Sequence, residues 1–192
     1  VKVVYTRSDD SFVSLKERAD IANEAHGDLV VSIHVNSVAK KNRNRRTIAG
    51  AEVYTLGLHR SDDNLAVAMR ENSVMSLEAD HSEVYQGFDP ESSESYIIFE
   101  LSQSRHMDQS IEMAELVQQS LVSNANRVDK GVKQAGFWVL WATSMPSILI
   151  ELDFICNPVQ EKFLASEQGQ KKLADAIYEG FLTYKEFNPV DD

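Results

Sequence analysis

One cysteine, Cys156, stands in 192 residues, so no disulfide can form within the chain. Its thiol reads as a small buried hydrophobe rather than a reactive group. Proline and glycine are few, at 4 and 8, and there is no low-complexity tract or internal repeat. Basic residues are outnumbered, 19 against 30 acidic ones, for a formal net charge of −11. That argues against a nucleic-acid role, because phosphate neutralisation needs a basic face. No apolar run approaches the roughly 20 residues that span a bilayer, and no signal peptide is visible. The chain also lacks an initiator Met and opens at Val1-Lys2-Val3-Val4-Tyr5, already inside a strand-like pattern. The expectation is that an N-terminal portion precedes this numbering, so the missing targeting segment carries no information. Glycine-rich phosphate loops, serine-nucleophile elbows and paired-cysteine zinc motifs are absent as well.

What is present is ordinary for a globular protein: 43% hydrophobic and 26% charged residues, enough for one domain over 1–192 with a sizeable core. Val1 to Thr6 reads as a strand. Ser14 to Ala25 reads as a helix, with Ser14 and Glu17 spaced as a capping box and Gly27 as its left-handed stop. His26, before that glycine, suits a helix C-terminus. Leu29 to His34 and Gly50 to Thr55 read as strands, separated by a polar loop from Lys40 to Arg46. Ser61 to about Met75 reads as a helix with Leu65, Met69 and Asn72 on one side. A second helix follows Pro90, and a third runs from about Met107 to Ala125 with Ile111, Ala114, Val117 and Leu121 as its buried stripe. Phe137 to Leu140 and Met145 to Glu151 read as strands, Asn157-Pro158 as a helix start, and Gly169 to Lys185 as a final amphipathic helix. Such alternation predicts an α/β fold: an open, mostly parallel twisted sheet with helices on both faces. The charged stretch at about 61–104 adds no obvious strand and reads as a helical insertion.

Two segments carry candidate chemistry. Ser32-Ile33-His34-Val35-Asn36 follows an apolar run, so His34 is expected where a central strand is about to end. That is the edge where open α/β sheets bind ligands. A neutral imidazole there is a good zinc ligand; the plain alternative is a histidine hydrogen-bonded in a core. The second segment, Met145 to Glu151, is expected to be a buried strand ending in a carboxylate. A buried carboxylate is costly unless paired or functional, and burial raises its proton affinity toward that of a general base. The alternative is a structural ion pair, with Asp153 as a nearby rival for the catalytic role. His59, His81 and His106 lack metal-ligand spacing, and the basic loop is an ordinary solvated turn or a wall-polymer contact.

Together these segments resemble the zinc-dependent N-acetylmuramoyl-L-alanine amidases of bacterial cell-wall remodelling. The likeness runs through Val4-Tyr5-Thr6-Arg7 with Asp10; through Leu15, Arg18, Ala22 and Asn23; and through Asp28 to Asn36. It continues through Gly131-Val132-Lys133, Trp138 to Leu140, and Pro146 to Pro158. The resemblance implies that His34 is a Zn²⁺ ligand and Glu151 the catalytic carboxylate. It implies that the family's remaining ligands, a histidine and a glutamate, lie upstream of Val1, leaving the zinc site incomplete in this chain. The implied reaction is hydrolysis of the amide between N-acetylmuramic acid and L-alanine. Zinc polarises the carbonyl and Glu151 carries the proton. Peptidoglycan is the implied partner, and the implied location is periplasmic or otherwise extracytoplasmic.

The insertion resembles that of amidases from the Bacteroides group. It implies autoinhibition, an acidic side chain reaching the metal, and release by an activator protein. Glu71 and Glu78 are the regulatory candidates, with Asp80 and Glu83 as further acidic residues; a solvated acidic loop is the plain alternative. Two other functions stay open: a non-catalytic peptidoglycan-binding domain, and a zinc carboxypeptidase-type hydrolase.

Overall fold

The computed structural model describes residues 1–59, 61–78, 81–101 and 106–189, without the side chains of Glu100 and Leu101. The first helix, α1 (Leu15–Glu24), begins at the capping box: Ser14 Oγ accepts the Glu17 N–H at 3.1 Å and Glu17 Oε2 accepts the Ser14 N–H at 2.8 Å. It stops one residue earlier than expected. His26, not Gly27, takes the left-handed conformation (φ 49°). The His26 and Gly27 N–H groups donate to Asn23 O and Ala22 O at 3.1 and 3.2 Å, the two bonds of a Schellman stop.

Then come β1 (Val30–Asn36), β2 (Ala51–Leu56) and α2 (Asp62–Asn72), followed by a 3-10 turn over Ser73–Leu77. After the short α3 (His81–Val84), a second 3-10 turn (Ser93–Tyr96) leads into α4 (Ile97–Leu101). Next are α5 (Met107–Ser123), β3 (Asp129–Ala135), α6 (Trp138–Trp141), β4 (Ser147–Phe154), α7 (Pro158–Leu164) and α8 (Glu167–Phe187). The expected α/β class holds: one open four-stranded sheet, in the order β1-β4-β2-β3, flanked by helices. It is mixed, though mostly parallel. Val30 N–H to Pro146 O and Ile155 N–H to Asn36 O bracket a parallel β1–β4 pair. Ala51 N–H to Val128 O and Gly57 N–H to Ala135 O do the same for β2–β3. The central pair β2–β4 is antiparallel, with Glu52 opposite Glu151 and Tyr54 opposite Leu149.

Four further sequence-based expectations need correction. Val1 to Thr6 is not a strand, because extended chain becomes a strand only by pairing, and Val1 and Tyr5 stand 82% and 74% exposed. Phe137 to Leu140 is not a strand either. Its buried apolar run enters the helix α6, an ambiguity that periodicity cannot resolve in so short a segment. The strand of that region is the polar β3. Third, β1 lies at an edge of the sheet rather than in its centre. Finally, β4 does not end at Glu151 but continues three residues beyond it, to Phe154.

By backbone contacts the chain groups into two compact units: 1–30, 55–107 and 134–147 in one, 31–54, 108–133 and 148–192 in the other. In the first, α1 packs on α6, and Asn23 ties it to the following loop through Ala142 O and Ser144 N, both at 2.9 Å. The α2 helix starts at Ser61, whose Oγ accepts the Asn64 N–H. Its buried line is Asn64, Ala68 and Asn72, and Leu65 and Met69 beside it are half-buried. Tyr96, Phe99, Phe88, Trp138 and Trp141 form an edge-to-face aromatic cluster.

In the second unit, α8 buries Leu173, Ala176, Gly180 and Tyr184 at helical spacing,. A Cβ on Gly180 would stand 2.8 Å from the Val117 backbone, so α5 and α8 approach as closely as only glycine allows. Gln118 on α5 reaches Ala51 O at 2.9 Å and Asp129 Oδ1 at 2.6 Å. Asn157 caps α7 with Pro158 at its first position,.

Candidate active site

The site is built on the second unit's part of the sheet. β4 is an interior strand, and its apolar run Ile148-Leu149-Ile150 is fully buried, which is why the chain tolerates so hydrophobic a segment there. Glu151 follows it, with no measurable exposure. On β1 the side chains alternate: Ile33 and Val35 are exposed, whereas His34 is half-buried and Asn36 buried. A ring nitrogen of His34 and a carboxylate oxygen of Glu151 lie within 4.8 Å of each other. His34 Nε2 also sits 3.0 Å from Ser32 Oγ, two residues back on the same face. A bond of this kind helps to fix the orientation of the ring. Asn36 is held at the strand end, its Oδ1 accepting the Ser37 N–H at 2.7 Å, while its Nδ2 is buried without a hydrogen-bond partner.

These donors suit zinc. An imidazole nitrogen and a carboxylate oxygen are both donors that zinc takes, at roughly 2.0–2.2 Å each. Two groups within 4.8 Å are near enough to serve one metal centre.

Asp153, the rival to Glu151, is engaged elsewhere. Its carboxylate accepts from Arg127 at 2.9 Å and from the Gly50 N–H at 3.0 Å. Arg127 in turn reaches Gln160 Oε1 and lies 4.0 Å above the Phe163 ring. Gly50 has φ 125°, and a Cβ there would stand 2.6 Å from Val128 O. This is an anchor for α7 and for the entrance to β2. Arg45 of the basic loop is likewise internal, donating to Val38 O and Ser37 Oγ.

The acidic residues between 61 and 104 differ in engagement. Glu71, at the end of α2, accepts from Arg70 Nε at 2.8 Å, and its side chain is 19% exposed. Glu78 Oε1 accepts the Tyr85 hydroxyl at 2.6 Å. Burial, reinforced by this carboxylate, pushes the Tyr85 phenol well above its ordinary range. Glu83 is exposed on α3, and Asp80 lies outside the described residues.

Sequence reasoning passed over Glu52 and Lys133 as site residues. Glu52, 4% exposed on β2, stands in register with Glu151. Its Oε2 receives Lys133 Nζ at 2.9 Å and the Tyr54 hydroxyl at 2.5 Å. One polar side chain from each strand therefore forms a row across the sheet: His34, Glu151, Glu52, Lys133. The signal that could have found Glu52 is a charged residue inside Ala51–Leu56, a strand buried at every position.

Residues 1–183 match the N-acetylmuramoyl-L-alanine amidase family. The chain belongs to that family. It is 29% identical over 181 residues to the N-acetylmuramoyl-L-alanine amidase AmiA of Escherichia coli K12, covering 93% of this chain and 59% of that protein. It is 32% identical over 181 residues to the uncharacterized protein YqiI of Bacillus subtilis 168, covering 94% and 63%. The chain thus spans about six-tenths of the length of these relatives. Among solved structures, an N-acetylmuramoyl-L-alanine amidase from Clostridium difficile 630 superposes with a TM-score of 0.67 at 28% identity, over 96% of this chain and 72% of that one. The amidase AmiC2 of Nostoc punctiforme gives 0.61, also at 28% identity, over 95% and 72%. The amidase fold is therefore the fold of this chain. Among the described residues no helix is long and apolar enough to cross a membrane.

Proposed function

We propose that this chain is the catalytic domain of a zinc-dependent peptidoglycan hydrolase that cleaves the amide between N-acetylmuramic acid and L-alanine. The observation that carries the reading is the meeting of His34 and Glu151 from adjacent strands in a member of the amidase family. His34 is the zinc ligand this chain supplies. A catalytic zinc takes three protein ligands, so each test belongs in the full-length, zinc-loaded protein. Zinc, when bound, supplies a Lewis acid for the amide carbonyl and a lowered pKa for water. Glu151 takes the proton of the attacking water and later delivers one to the leaving alanine nitrogen. Its burial keeps bulk water from competing for that proton. The substrate lies outside the cytoplasmic membrane, which places the reaction in an extracytoplasmic compartment.

The 61–104 insertion, of the kind seen in Bacteroides-group amidases, regulates this activity in our reading. It contributes a carboxylate that closes the metal until an activator protein withdraws it. Glu71 and Glu78 are the candidates, Glu71 paired with the partly exposed side chain of Arg70 and Glu78 holding the buried Tyr85 hydroxyl, and we place Glu71 first. The test is digestion of purified peptidoglycan by the full-length protein, followed by analysis of the soluble products. Free stem peptides with a new N-terminal alanine and no muramic acid support the reading. Cleavage confined to glycan-free peptides would replace it with a carboxypeptidase-type activity. Binding without any release would leave a peptidoglycan-binding module.

A further inference from the structure

Two buried carboxylates stand side by side at the centre of the sheet, Glu151 on β4 and Glu52 directly opposite on β2. Cross-strand neighbours of this kind have Cβ atoms about 4.5–5.5 Å apart, and like charges there are unfavourable. The two are managed in opposite directions. Lys133 on β3 and the Tyr54 hydroxyl both bind Glu52 Oε2, at 2.9 and 2.5 Å. Those two donors hold Glu52 on the β3 side, where it forms an ion pair with Lys133. Glu151 brings its carboxylate to within 4.8 Å of His34 on the β1 side.

We propose that Glu52, pinned by Lys133, is a positioning residue for Glu151. A carboxylate engaged in an ion pair with an ammonium acts as an acceptor,. Glu52 therefore offers Glu151 no hydrogen bond on the β2 side, and its charge repels Glu151 from there. Glu151 is thereby turned away from β2, and its carboxylate lies on the His34 side. Lys133 is 27% exposed in its side chain whereas Glu52 is 5% exposed, so the ammonium faces the outer edge and the carboxylate the interior. The inference rests on the amidase reading for its kinetic consequence but not for its geometry.

The discriminating variants are Glu52→Gln and the double variant Glu52→Gln/Lys133→Met, made in the full-length protein. Glutamine keeps the shape but offers Glu151 an N–H donor, which draws the carboxylate toward β2. Removing Lys133 alone would strand a buried charge and threaten folding; removing both charges does not. With equal zinc content and intact folding, both variants should lose about 10- to 100-fold in kcat with KM nearly unchanged. Lys133→Arg should retain most of the parent's kcat. Crystal structures of the parent and double variant supply a readout independent of turnover: the Glu151 carboxylate should move away from His34 in the variant. Parent-like kcat in the double variant, or an unmoved Glu151, would overturn the proposal and leave the pair a packing element. A parent that shows no amidase activity while Glu151 moves in the variant would count against the amidase reading and for the positioning one.

Discussion

The side chain of Asn72 accepts the backbone N–H of Trp138 at 3.0 Å. The same amide donates to Gly136 O at 2.8 Å and to the Tyr96 hydroxyl at 3.1 Å, and Tyr96 passes its own proton to Pro90 O. One buried amide thereby joins the end of α2, the turn before α6 and the segment after Pro90. Asn72→Ala strips partners from several buried polar groups at once. It should destabilise the protein by roughly 2–4 kcal/mol, since each orphaned group costs about 1–3. A shift in the urea midpoint at unchanged m-value measures this; a midpoint equal to the parent's would show that water replaces the amide.

Glu151→Gln should preserve folding and zinc content while lowering turnover by a factor of roughly 10²–10⁴. Parent-like turnover would remove Glu151 from the mechanism. Asp153 is a poor heir, because Arg127 and Gly50 already hold it.

His34→Ala in the full-length protein should release zinc, because a three-ligand site reduced to two holds the ion weakly. Zinc per protein after dialysis is the measurement. Stoichiometric retention would show that His34 is not a ligand.

For the insertion, Glu71→Ala should raise basal hydrolysis and lessen dependence on an activator, whereas Glu78→Ala should not. A closed state favoured by about 2–3 kcal/mol leaves on the order of 1% open, so the rise should be large. Activation by Glu78→Ala but not Glu71→Ala would reverse the assignment. Activation by neither would make the insertion a docking or substrate-positioning element.

Alkali should loosen the first unit. Burial, with help from the charge of Asp89 and against the Asn72 hydrogen bond, pushes the Tyr96 phenol up to about 12. Its folded value is raised, so its contribution is fully present below the ordinary phenol range of about 10 and is lost as pH climbs toward about 12. Tyr85 acts in the same direction. Tyr96→Phe should therefore show a shallower fall in urea midpoint between about pH 9 and about pH 11 than the parent; an equal fall would assign the effect to other groups.

Local chemistry was legible in the sequence. Ser14 with Glu17, Ser61, and Asn157-Pro158 each marked a true helix start, since a cap is written in adjacent residues. The apolar run before Glu151 announced an interior strand for the same reason. The polar β3 escaped notice because hydrophobic periodicity carries little signal in Asp-Lys-Gly-Val-Lys-Gln-Ala. Phe137 to Leu140 misled because burial on all sides erases the difference between helix and strand. Glu52 and Lys133 could be assigned no role from sequence. Their relation to Glu151 depends on strand order and register, which bring together residues 52, 133 and 151.

The edge position of β1 has a colloidal side. The strand that carries His34 turns Ile33 and Val35 outward, 57% and 38% exposed, at a margin of the sheet. Such a margin is a template on which another copy's backbone can add. The formal charge of −11 sets mutual repulsion against that growth. Ionic strength weakens the repulsion and leaves the exposed Ile33 and Val35 unchanged, so added salt should favour self-association of this polypeptide over dispersal.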